Sequence, residues 1–71
     1  MEIIILKTNI KSREEFRWIK SSLKNLYPIE ECTIDLEDTD KVVRVTGENL
    51  RMEEVVNGIS SLGFACEELP G

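Results

Sequence analysis

Glu31-Cys32-Thr33-Ile34-Asp35-Leu36-Glu37-Asp38-Thr39-Asp40-Lys41-Val42-Val43-Arg44-Val45-Thr46-Gly47 decides how the rest of the chain must fold. From Glu31 to Leu36 the residues alternate, with Cys32, Ile34 and Leu36 on one face and Thr33 and Asp35 on the other. That period of two is the mark of a half-buried strand. Lys41 to Thr46 alternates again, with Val43 and Val45 pointing inward. Between the two lies Glu37-Asp38-Thr39-Asp40, a run rich in side chains that bond their own backbone and so favour a turn. The pair is a hairpin, and Gly47 ends it.

Upstream, Pro28 stops a helix, because the residue before a proline resists the helical region. Phe16, Ile19, Leu23 and Leu26 make that helix's apolar stripe. Ser12-x-x-Glu15 reads as a capping box, with the serine capping the helix and Glu15 reaching back to the Ser12 amide. Before it, Glu2 to Thr8 is a strand with Ile4, Leu6, Thr8 and Ile10 sharing one face and Ile3 and Ile5 the other. Downstream, Asn49 is a candidate cap for a second helix with the stripe Met52, Val55, Val56, Ile59 and Leu62, closed by Gly63 as a left-handed cap. Gly58 inside it marks either close packing against the sheet or a tolerated interruption. Phe64 to Leu69 is a last short strand, and Pro70-Gly71 is a frayed end.

Strand, helix, strand, strand, helix, strand, with right-handed crossovers around the hairpin, predicts an α+β chain. The expected form is a ferredoxin-like βαββαβ sandwich over residues 1–71, a single domain whose four-stranded antiparallel sheet carries both helices on one face. The first and third strands are then central. Cys32 and Cys66 fall on opposite outer strands, roughly 10–15 Å apart at the usual strand spacing. A disulfide needs Cα atoms within about 7 Å, so the pair reads as two small buried hydrophobes.

Composition excludes more than it assigns. The 71 residues are 41% apolar and 32% charged, enough for a core and a soluble surface. A net charge of −5 argues against nucleic-acid binding, which needs a concentrated positive surface. Histidine is absent, which removes the usual general base and the commonest nitrogen metal ligand. Ile3-Ile4-Ile5-Leu6 is too short for a signal or membrane segment, so a cytoplasmic setting with no membrane partner is expected.

The whole chain resembles a heavy-metal-associated domain, the module of copper chaperones and of the N-terminal arms of metal-pumping ATPases. Leu23-Lys24-Asn25-Leu26-Tyr27-Pro28-Ile29 is similar to the family's helix end and turn, and Cys32-Thr33-Ile34-Asp35-Leu36-Glu37 to its second strand, V-x-V-D-L-E. Val43-Arg44-Val45-Thr46-Gly47 looks like its third strand, and Ile59-Ser60-Ser61-Leu62-Gly63-Phe64 like its I-x-x-x-G-Y/F signature. Counting back from Pro28 sets Ile10 on the family's methionine and Ser12 and Glu15 on the cysteines of its Met-x-Cys-x-x-Cys loop. Those thiolates take a soft ion such as Cu(I), for which a hydroxyl and a carboxylate are poor substitutes. Ser12 and Glu15 are thus degenerate metal positions, and neither a bound metal nor another cofactor is expected. The resemblance also implies Phe64 beside this loop, where it would pack on Ile10.

Arg13, Arg17, Lys20 and Lys24 fall in one narrow stripe of the first helix, at about 100° per residue. Like charges at i, i+4 destabilise a helix slightly, so this basic ridge on an acidic chain hints at a role. The resemblance strengthens the hint, since family chaperones dock acidic partner domains through basic residues of this helix. Trp18, off the apolar stripe, is a candidate anchor next to it. Ile3 and Ile5, with Val42, would leave a modest apolar patch on the uncovered sheet face, suited to a dimer or partner contact, so the chain is expected to be a monomer or weak dimer.

The first expectation is a non-enzymatic interaction module that docks a protein with an acidic surface through Arg13, Arg17, Trp18, Lys20 and Lys24. The alternative is a divergent metal carrier using Glu15 or a displaced cysteine. A third is a small-ligand regulatory domain, although Asn9 to Ser12 lacks the glycine such a ligand loop needs. RNA recognition lacks surface aromatics on the central strands. An acylphosphatase-type enzyme lacks a glycine-rich anion cradle.

Overall fold

Leu6, Val43 and Val45 are fully buried and lie in register across the two central strands, with Leu6 opposite Val43 and Ile4 opposite Val45. On the outer side of the same hairpin, Cys32 pairs with Val45 and is 1% exposed. These side chains form the floor of the core. Phe16, Ile19 and Leu23 of the first helix and Val55 and Ile59 of the second form its roof. The computed structural model describes residues 1–69, and the expected frayed end at Pro70-Gly71 lies outside them.

The elements run β1 (Glu2–Thr8), α1 (Arg13–Leu26), β2 (Ile29–Asp35), β3 (Val42–Gly47), α2 (Met52–Ser61) and β4 (Cys66–Glu68). The sheet order is β2-β3-β1-β4, and every pairing is antiparallel. This is the ferredoxin-like βαββαβ arrangement that the period of the apolar residues implies. The carboxylate turn forms as its chemistry suggests. Glu37 N donates to Asp35 Oδ1 at 3.1 Å and Asp40 N to Asp38 Oδ1 at 2.8 Å. Cys32 and Cys66 are both free thiols on the two outer strands, β2 and β4.

Several details depart from the sequence reading, each for a physical reason. Leu26 is 67% exposed, and Tyr27, one residue past the helix, packs on the core instead. Asn49 does not cap α2. It sits in the left-handed region at φ 57, the cap position is Arg51 with no side-chain bond, and Leu50 N donates to Glu2 Oε1 at 2.9 Å. The Glu2 carboxylate thus anchors the loop one residue ahead of the cap, and α2 starts without a side-chain cap. Gly58 faces α1 rather than the sheet, since a Cβ there would come within 2.9 Å of Leu23 Cδ2 and 3.2 Å of the Tyr27 ring. β4 shrinks to three residues and begins at Cys66, because the Ala65 amide before it donates to Asn9 Oδ1 at 2.9 Å; at its other end Leu69 N still donates to Ile5 O of β1 at 3.0 Å, in register with the ladder. Gly63 adopts φ 97, as a left-handed helix cap requires.

Gly47 holds the tightest approach. A Cβ on it would overlap the Pro28 carbonyl oxygen, which is backbone and cannot rotate away, and would press on Leu50 Cδ1 at 3.0 Å. Gly47→Ala is expected to lower stability by about 1–3 kcal/mol through overpacking. A shift of the urea midpoint at unchanged slope checks this, and an unshifted midpoint contradicts it.

Candidate functional site

The loop between β1 and α1 is fixed from below by Thr8. Its buried hydroxyl donates to Lys41 O at 2.7 Å and accepts from Ile10 N at 3.3 Å, while its own N–H donates to Asp40 O at 3.0 Å. Ile10 continues the apolar face of β1 past the end of the strand and is fully buried. The chain then turns outward into Ser12, which has the extended backbone of a helix cap, φ −141 and ψ 161. Glu15 N donates to Ser12 Oγ at 3.2 Å. The reciprocal half of the box differs from expectation: the Glu15 carboxylate accepts from Lys11 N at 2.8 Å rather than from the Ser12 amide. The carboxylate thus clamps the loop one residue farther back, and both polar side chains are spent on starting the helix.

From that start α1 presents three surfaces. Phe16, Ile19 and Leu23 face the core. Arg13, Arg17 and Lys24 are exposed and Lys20 is half-buried along one flank. That flank overlooks β2, because Lys20 and Lys24 are the cations that act on the Cys32 thiol. Among the described residues none of the four ridge cations has a carboxylate within ion-pairing distance; the ion pairs found are Met1–Glu48 and Lys7–Asp40.

Trp18 does not sit beside this ridge. Successive residues are turned by about 100°, so its side chain leaves the helix roughly 100–160° around from the four cations. It is 52% exposed, and its ring meets Phe64 edge-on, with centroids 6.0 Å apart at 63°. Phe64 packs against the core cluster that contains Ile10, but the aromatic contact with Trp18 was invisible in the sequence, because the partners are brought together only by the α1–α2 arrangement. The ridge and the indole are therefore separate surfaces on opposite flanks of one helix.

The cysteines differ in access but not in ionisation. Burial pushes the Cys32 thiol up to about 11, against the lowering pull of Lys20 and Lys24. Burial, reinforced by Glu67, pushes the Cys66 thiol up to about 11 as well. Cys66 is only half-buried, a correction to its expected place in the core. It lies opposite Thr8, in a shallow cleft with Lys7, Asn9 and Glu67. Among the described residues no three His, Cys, Asp or Glu side chains lie close enough to share a metal ion. No described helix is long and apolar enough to cross a membrane.

A βαββαβ sandwich with this strand order, and with a loop and capped helix following a central first strand, has the fold of the heavy-metal-associated domains. The solved structures it resembles are of that kind. The yeast copper-transporter domain Ccc2a, solved in apo and Cu(I)-loaded states, superposes with a TM-score of 0.84 at 24% identity, over 99% of this chain and 97% of that one. A copper-binding domain from a P-type ATPase gives 0.83 at 16% identity, over 99% and 96%. A chain from the solution structure of the Atx1–Cu(I)–Ccc2a complex gives 0.84 at 24% identity, over 99% and 97%. At these identities the likeness is one of fold. No family model matches the sequence, and neither does any curated protein.

Two outcomes follow for the loop and the thiols. Ser12→Ala removes the cap acceptor and is expected to destabilise the fold by about 1 kcal/mol, read by thermal or urea unfolding. An unchanged stability would mean that Glu15 alone holds the helix start. With a thiol held near 11, the alkylation rate of native Cys66 should rise about tenfold per pH unit between roughly pH 8 and 10, as the thiolate fraction grows. Cys32 should stay unlabelled until the protein unfolds, and mass spectrometry of labelled peptides distinguishes the two.

Proposed function

We propose that this chain is a non-enzymatic docking module that keeps the architecture of a copper-binding domain without its soft-metal ligands. The observation that carries the reading is the ridge: Arg13, Arg17, Lys20 and Lys24 lie together on α1, with no carboxylate partner among the described residues, on a chain of net charge −5. Such a surface attracts an acidic partner locally and steers its approach. Trp18 supplies the packed contact from the other flank, so the partner straddles the exposed back of α1. A helix with its side chains is about 10–12 Å across, a span one protein surface bridges easily. The Atx1–Cu(I)–Ccc2a complex supports the reading to the extent that a domain of this fold was found there with a protein partner.

The metal half of the copper domains' work does not fit the residues present. At the two positions where the resemblance sets thiolates, this chain offers the Ser12 hydroxyl and the Glu15 carboxylate, hard oxygen donors already bonded to backbone N–H groups. The competing carrier reading rests on Cys66, which lies beside the loop opposite Thr8. Its thiol, protonated at neutral pH, makes it a reluctant ligand. The setting we infer is cytosolic, in keeping with two cysteines held on opposite sheet edges out of bridging distance.

A poly-glutamate peptide serves as the acidic probe. Binding followed by amide shifts should map to residues 13–24, weaken about tenfold or more between roughly 20 and 200 mM salt, and be lost in the Arg13→Glu/Arg17→Glu/Lys20→Glu variant. Salt-independent binding, or binding undiminished by Arg17→Glu together with Trp18→Ala, contradicts the reading. In a parallel titration with Cu(I) or Zn(II) under reducing conditions, shifts confined to residues 9–16 and 64–66 would favour the carrier instead.

A further inference from the structure

The sheet has a second face, and no element of the described chain covers it. The ladder registers place Ile3, Ile5 and Lys7 of β1, Val42, Arg44 and Thr46 of β3, Glu31, Thr33 and Asp35 of β2, and Glu67 of β4 on that side. Ile3 is 52% exposed, and Ile5 and Val42 are half-buried. Leu69, tied to Ile5 by its N–H, joins them, and Ile3, Ile5, Glu68 and Leu69 line a shallow depression of about 290 Å³. The apolar strip is flanked by charge of both signs: Arg44 lies opposite Ile5 on β3, and Glu67 lies on β4 opposite Lys7, diagonally from Ile5.

We propose that this face pairs with the same face of a second copy of the chain. A face that carries Arg44 and Lys7 together with Glu31, Asp35 and Glu67 offers both signs to a second copy of itself, which the ridge on α1, all of one sign, does not. Because Arg44 and Glu67 lie across the apolar strip from each other, a two-fold axis running diagonally over the strip sets Ile5 of one copy on Leu69 of the other. The same axis brings Arg44 to Glu67 of the second copy. The near-crossed sheets that result are one of the two standard ways sheets stack.

The area fixes the strength. With strands about 4.8 Å apart and residues of one face about 6.8 Å apart, the four-stranded face measures roughly 19 by 20 Å. With β4 only three residues long, two copies then cover at most on the order of 800 Å², below the roughly 1,200 Å² of stable interfaces, so the pair forms reversibly at high concentration. The helices, and the ridge with them, lie on the other side of the sheet. A failure of this inference therefore leaves the docking reading standing, and the converse holds too.

Sedimentation equilibrium and amide shifts between about 20 µM and 1 mM test it on the whole chain. The expected result is concentration-dependent dimer formation, with shifts at Ile3, Ile5, Arg44 and Leu69. Ile3→Asp should weaken association about tenfold, as loss of a central apolar contact does. Arg44→Glu should weaken it as well, and adding Glu67→Arg should restore it. All three positions are exposed, and circular dichroism with a melting curve verifies that each variant folds. A monomer throughout the concentration range, association undiminished by Ile3→Asp, or no recovery in the double variant would overturn the proposal.

Discussion

Everything around the first loop hangs on one buried hydroxyl. Thr8 closes β1, and its side chain bonds both the outgoing loop, through Ile10 N, and the hairpin turn, through Lys41 O. Two chain segments more than 30 residues apart in sequence, |i−j| 33, are thereby set against each other by a single oxygen. A buried polar group of this kind is costly when unpaired and specifying when satisfied. With Thr8 fixed, Ile10 has no direction but inward, and Ser12 is delivered to the surface in the extended backbone that a helix cap requires. The first helix then starts where it does, and its ridge and its indole point where they do, as consequences.

The two helices are set by a comparable economy. Gly58 lacks a side chain where Leu23 and Tyr27 press closest, so α2 can lie near α1 at the middle of its length. That approach also brings the segment after α2 round to α1, where Phe64 finds Trp18. Helix α1 is consequently bounded by β2 on its basic flank and by an aromatic contact on the other. Its solvent-facing back therefore carries charge on one side and an aromatic ring on the other.

The alternating residues of the hairpin and the β-branched run Ile3-Ile4-Ile5 of β1 declared the strands, and the hairpin's period of two declared its core face. The stripes of Phe16, Ile19, Leu23 and of Val55, Ile59 declared the helices in the same way. Less legible was whatever depended on a residue distant in sequence. Asn49 carries a cap's chemistry, yet Glu2 reaches over to take the adjacent Leu50 amide, and the asparagine is used instead for its tolerance of positive φ. Leu26 carries a core residue's chemistry, but the helix ends before its flank is covered. Of the candidate site, the cap and the cationic stripe could be read directly. The separation of Trp18 from that stripe follows from helix geometry alone and was legible, whereas its pairing with Phe64 was not.

Both sheet edges of this fold are open, and both are lined with carboxylates. β2 carries Glu30, Glu31 and Asp35 along its seven residues, and β4 is three residues long with Glu67 and Glu68 among them. An open edge is a template for another strand unless charge or shortness blocks it. Like charges meeting edge to edge repel, so the ladder cannot lengthen sideways from either end. Association through a sheet face, by contrast, consumes that face once and leaves nothing further to add to. The acidity of this chain thus has a colloidal meaning: it lets the protein expose bare strands at high concentration while keeping any assembly finite.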